Sequence, residues 1–132
     1  MALSASELRI GNLILLFSKR ICKVIKIEGK SFTVKADDIS DVSVFPNMSN
    51  GVEPIPLTEE WLIKFGFELY ENAGIYGLYR EIFPPVSGFE ITADSEGYWY
   101  WPSGMFNATK IKYVHQLQNL YFALTGEELT YK

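Results

Sequence analysis

Cysteine and histidine are nearly missing from this chain: Cys22 and His115 are the only ones among 132 residues. One cysteine excludes an internal disulfide framework and a multi-cysteine zinc site, and one histidine excludes paired-histidine metal motifs. No apolar run approaches the roughly 18 residues that a membrane span needs. The longest early run is Leu13-Ile14-Leu15-Leu16-Phe17, preceded by Glu7 and Arg9 and closed by Ser18-Lys19-Arg20. That is a poor signal peptide, so the cytoplasm is the expected compartment and no membrane partner is expected. Gly74, Gly77 and Gly88 do not form a phosphate-cradling loop, and no cofactor or metal is expected. The net charge of −4 does not by itself point to a polyanion.

What is present is a globular composition, 48% hydrophobic and 21% charged, with aromatics at 15%. The distribution is uneven. Residues 1–56 carry seven Lys/Arg against six Asp/Glu, whereas residues 57–132 carry five against ten. Of the 20 aromatics only Phe17, Phe32 and Phe45 precede residue 57; all eight Tyr and all three Trp follow it. The shift falls near Pro54-Ile55-Pro56 and divides the chain into two expected modules, 1–56 and 57–132, each too small for a large core of its own, so the two are expected to share one.

The first module reads as short strands. Ile10–Phe17 is apolar; Arg20–Glu28 is β-branched and meets the turn signal Gly29-Lys30; Ser31–Lys35 alternates. Arg20–Glu28 against Ser31–Lys35 predicts a hairpin with a loop of about two residues. Val42–Phe45 and Val52–Ile55 are further strand candidates, and Pro54 pushes the last to a sheet edge. Four or five short strands in this length suggest a small SH3-like β-barrel.

The second module opens on a helix with Thr58 as N-cap, Glu59 and Glu60 in its first turn, and Gly66 after its end. Strands are predicted at 75–83, 88–92, 97–101 and 110–113, separated by turn residues. Val114, Leu117, Leu120, Tyr121 and Leu124 recur at helical spacing on one face of a last helix, 114–124. The expected fold class is α+β: an SH3-like small β-barrel followed by helix, antiparallel β-meander and helix.

Three segments carry a family resemblance: Glu7–Leu13 (ELRIGNL), Pro54–Leu62 (PIPLTEEWL) with Phe65-Gly66-Phe67, and Val114–Leu129 (VHQLQNLYFALTGEEL). In these the chain resembles a family of small uncharacterised bacterial proteins often associated with prophages and mobile elements. The resemblance implies a compact cytoplasmic protein and implies no reaction, so no catalytic residue is carried over.

Residue chemistry favours binding over catalysis. His115 stands beside the start of an apolar helix with no recognisable nucleophile, which favours packing or capping over general-base work. Cys22 within an apolar strand reads as a small hydrophobe. Glu81, Glu90 and Asp94 have the residue type for acid–base sugar hydrolysis, but strand carboxylates are usually solvated. Two binding candidates stand out. Lys19, Arg20, Lys23, Lys26, Lys30 and Lys35 stand against only Glu28 in residues 19–35. Small barrels do bind nucleic acid with such hairpins, although Lys23 and Lys26, three apart, fall on opposite faces of a regular strand. Tyr98, Trp99, Tyr100 and Trp101 form the second, with two aromatics on each strand face. The expectation is a non-enzymatic interaction or adaptor module with a protein partner; the alternative is nucleic-acid binding through hairpin 19–35, and a small hydrolase is less favoured.

Overall fold

The computed structural model describes residues 3–17, 20–36, 40–45, 51–73, 76–81, 90–93, 99–101 and 109–129. Between residues 68 and 109, side chains are described only at Ile91 and Trp99. Among the described residues the fold is mixed α+β, with two helices and antiparallel five-stranded sheets, one curled into a half-barrel. The chain divides into two compact units, Met1–Pro56 with Tyr113–Asn119, and Leu57–Lys112 with Leu120–Lys132.

In the first unit a single 3-10 turn, Ala5–Glu7, precedes β1 (Leu13–Leu16), β2 (Arg20–Glu28), β3 (Ser31–Lys35), β4 (Val42–Val44) and β5 (Val52–Glu53). The sheet order is β4-β3-β2-β1-β5, so β5, which ends just before Pro54, lies at an edge. Edge placement suits a strand followed by a residue without an N–H. The predicted β2–β3 hairpin forms, with Glu28 opposite Ser31 and Gly29 supplying a positive φ of 59° at the turn. β1 starts at Leu13 rather than Ile10, because Gly11 adopts φ 102° and the Asn12 N–H turns back to the Arg9 carbonyl at 3.0 Å. Ile14, Leu16, Cys22, Val24, Phe32 and Val34 are among the core residues of this unit, which settles Cys22 as a packed hydrophobe.

One expectation about the hairpin is corrected. The β2–β3 register runs Lys23↔Lys35, Val24↔Val34, then Lys26↔Thr33, so Ile25 is an extra residue in a β-bulge. A bulge resets the alternation. Val24 and Ile27 therefore both face the core, and Lys23 and Lys26 share the outer face instead of opposing ones.

The second unit begins with α1 (Glu59–Lys64). Thr58 caps it, its Oγ1 accepting from the Trp61 N–H at 3.4 Å, while Leu57 and Leu62 are both buried as a hydrophobic staple requires. Gly66 follows at φ 93°. Gly66→Ala meets no atom in the space a Cβ would occupy, so its cost is the backbone conformation alone, about 1 kcal/mol by urea titration. An unchanged midpoint would refute that reading.

The sheet of the second unit has five strands, β6 (Phe67–Ala73), β7 (Tyr76–Glu81), β8 (Glu90–Ala93), β9 (Trp99–Trp101) and β10 (Thr109–Ile111), in the order β10-β9-β8-β7-β6. β6 went unpredicted because a register shift between Leu69 and Glu71 breaks its alternation. The predicted turns at Pro84-Pro85, 94–97 and 102–104 lie outside the described residues. Helix α2 (Val114–Thr125) runs close to its predicted span. Val114, Leu117 and Tyr121 are buried as expected, but the apolar stripe ends a turn early: Leu120 is half-buried and Leu124 is exposed.

Candidate functional site

Among the described residues the densest polar chemistry lies in the first unit, between residues 7–13 and the first turns of α2. Asn12, His115 and Gln118 are all buried. Gln118 acts as a surrogate strand: its Oε1 accepts from the Leu13 N–H at 2.8 Å and its Nε2 donates to the Gly11 carbonyl at 3.2 Å. Asn12 Oδ1 accepts from the Arg9 N–H at 2.7 Å, and its Nδ2 donates to Asn119 Oδ1 at 2.8 Å. Asn119 Nδ2 in turn donates to the Glu7 carbonyl at 3.3 Å. At the helix start, Gln116 Oε1 accepts from the Tyr113 N–H at 3.1 Å, half of a capping box.

His115 completes this network. Its Nε2 lies 3.2 Å from Glu7 Oε1, and its ring stacks on Tyr113 at 5.8 Å between centroids. Burial holds the imidazole below the ordinary histidine pKa, outweighing the pull of the Glu7 carboxylate. The ring is therefore neutral near pH 7, donating from Nε2, while buried Nδ1 has no hydrogen-bond partner among the described residues. The cluster also positions the backbone: Gly11 N–H donates to the Val24 carbonyl at 2.8 Å and Val24 N–H to the Asn12 carbonyl at 2.9 Å. Both backbone groups of the residue before the β2 bulge are thus held by the turn that Gln118 and Asn119 clamp.

That bulge brings Lys26 onto the outer face that carries Lys23 and Lys35. From the strand registers, three rows stand side by side on the outer surface: Leu15 opposite Ile21, Lys23 opposite Lys35, and Lys26 opposite Thr33. Lys23, Lys26 and Lys35 are exposed, and Ile21 is 40% exposed. Lys26 pairs with Glu28, whose carboxylate raises the lysine pKa through a hydrogen bond and its charge. Lys23 and Lys35 have no carboxylate partner among the described residues, and like charges directly across an antiparallel pair repel.

Of the other sequence candidates, Arg20 and Lys30 are exposed at the two ends of β2 and its turn, and Lys19 lies outside the described residues. Trp99 is buried with its indole N–H donating to the Leu57 carbonyl at 2.9 Å, so this ring fills the core of the second unit. Tyr98 lies outside the described residues, and of Tyr100 and Trp101 only the strand backbone is described, as for the carboxylate-bearing Glu81 and Glu90. Among the described residues no group of three or more His, Cys, Asp and Glu side chains is placed to hold a metal, and no helix is long and apolar enough to cross a membrane. No family model, curated protein or solved structure matches the chain.

Sequence reasoning singled out Lys23 and Lys26 but missed the Asn12–Gln118–Asn119 network. One signal was there. Gln118 stands four residues after Val114 and three before Tyr121, so it is a polar residue on the apolar stripe of α2. A polar side chain at such a position needs a buried partner.

Proposed function

We propose that this protein is a non-enzymatic interaction module, an adaptor of a prophage or other mobile element that binds another protein in the cytoplasm. The observation that carries this reading is the contrast within the first unit: its one titrating imidazole is sealed beneath Glu7, while the outer face of β2 and β3 is open and bears both lysines and Ile21. Open apolar groups elsewhere in the unit support it. Phe17 is 65% exposed and holds φ 52°, a costly conformation for a bulky residue, while its N–H donates to the Gly51 carbonyl at 2.7 Å. The strand order β4-β3-β2-β1-β5 supports an SH3-like barrel as the scaffold. The mobile-element setting rests on the three segments ELRIGNL, PIPLTEEWL and VHQLQNLYFALTGEEL.

Affinity capture from bacterial lysate, with and without nuclease, tests the reading. The expected result is a protein partner retained after nuclease digestion; capture that disappears with nuclease would overturn it. A second reading, nucleic-acid binding through hairpin 19–35, draws support from Lys23 and Lys35 standing opposite each other. It requires retention of DNA or RNA at low salt with affinity falling steeply as salt rises, and no retention at low salt removes it.

A further inference from the structure

We infer that the outer face of β2 and β3 binds an extended acidic protein segment in which an aliphatic residue stands two positions from a carboxylate. The inference rests on the interaction-module reading and names the chemistry of its partner. Lys23 and Lys35 are placed side by side by the hairpin register, each exposed and without a carboxylate partner among the described residues. One carboxylate laid between them relieves their mutual repulsion and pairs with both. The next row along the strands, Leu15 and Ile21, is apolar and partly open. Rows two residues apart on a strand are about 7 Å from each other, the repeat of side chains on one face of an extended peptide. A segment running along β2 therefore sets its carboxylate on the lysine pair and its aliphatic side chain on Ile21.

The surrounding charges favour this occupant over nucleic acid. Lys26 is already paired with Glu28, and Glu53 stands opposite Leu15 at the other end of the face. Among the described residues of this outer face, the Lys23–Lys35 row lies between the Lys26–Glu28 ion pair and the Leu15 row, beside which Glu53 stands. A phosphate backbone, with its closely spaced charges, meets the lysine pair and then the already neutralised Lys26–Glu28 pair on one side and an apolar row beside Glu53 on the other. An acidic–aliphatic segment presents one charge where the pair is and an apolar group where the charge ends.

The test uses the full chain, isotope-labelled and titrated with three probes: a ten-residue peptide of alternating serine with glutamate and leucine by turns, the same peptide with lysine for glutamate, and a 16-base-pair DNA duplex. The expected result is saturable shifts of the 21–26 and 33–35 amides with the glutamate peptide alone. Lys23→Glu/Lys35→Glu and Lys23→Gln/Lys35→Gln should each weaken that binding at least about tenfold, roughly the loss of one charge-assisted contact. Single Lys35→Glu should raise the thermal midpoint by about 2 °C, since it turns a repulsive cross-strand pair into an attractive one. Shifts that lie elsewhere, that survive both double variants, that are absent with the glutamate peptide, or that the duplex produces at lower concentration overturn the inference. Capture from lysate separates its failure from that of the wider reading. A protein partner held equally by wild type and Lys23→Glu/Lys35→Glu removes this face and keeps the interaction module; no partner with either removes both.

Discussion

Gln118→Leu is expected to destabilise the first unit by about 2–4 kcal/mol, a large part of the roughly 5–15 kcal/mol that holds a domain of this size. Leucine keeps the apolar bulk of the helix face and removes both amide contacts. The Leu13 N–H and the Gly11 carbonyl are then left without the partners that now lie at 2.8 and 3.2 Å. The buried Leu13 N–H left unpaired costs about 1–3 kcal/mol, the part-buried Gly11 carbonyl adds a smaller cost, and among the described residues no strand is placed to replace the side chain. Urea titration followed at amides of residues 11–35 reads the effect. Gln116→Leu is the control: Gln116 is exposed, and its contact to the Tyr113 N–H is a helix cap whose loss costs about 1 kcal/mol. Equal effects of the two substitutions would show that Gln118 is an ordinary surface residue. Because the Gly11–Asn12 turn holds Val24, the leucine variant should also perturb amides around Ile25 and loosen the lysine pair, which links the buried network to the open face.

The second large effect is the response to acid. Histidine in the unfolded chain titrates near 6.5, and burial lowers the value in the folded protein. Below 6.5 the unfolded state binds a proton that the folded state refuses, so stability is full above about pH 6.5 and falls as pH drops toward the folded value, with a limiting slope of about 1.4 kcal/mol per pH unit. The geometry supplies the reason. Protonation would place an N–H on Nδ1, where no acceptor stands among the described residues, and the gain at Glu7 does not compensate for burying the charge. Urea midpoints measured from pH 7.5 to 5 should fall for the wild type. His115→Leu should flatten this part of the profile, and a parallel fall in the variant would assign the acid response to other groups. Glu7→Gln isolates the carboxylate: it keeps a hydrogen-bond acceptor for Nε2 and removes the attraction for imidazolium, so its profile should fall at least as steeply.

Much of the secondary structure was legible because it depends on neighbours in sequence. Gly29-Lys30 marked the turn of the β2–β3 hairpin, Thr58 the start of α1, and Pro54 an edge strand. The limits of that reading have local causes too. The bulge at Ile25 and the register shift between Leu69 and Glu71 both interrupt alternation, and strict alternation then misplaces Lys26 and overlooks β6. Periodicity could not show where the apolar stripe of α2 stops being covered, since Leu117 and Leu124 are equally apolar and only the first is buried.

Residue types set the inventory: one thiol, one imidazole, a lysine-rich hairpin in the first 56 residues, and aromatics concentrated in the rest. It also determined what chemistry was unavailable, because residue types that are absent cannot be brought together by folding. Which groups became neighbours depended on how the chain folds back on itself. Residues 7–13 and 115–119 lie about a hundred positions apart, and their hydrogen bonds depend on where a helix returns, which no local pattern encodes. The face of the lysines was likewise decided by a single unpaired residue, since one extra residue in a two-residue repeat exchanges inside for outside.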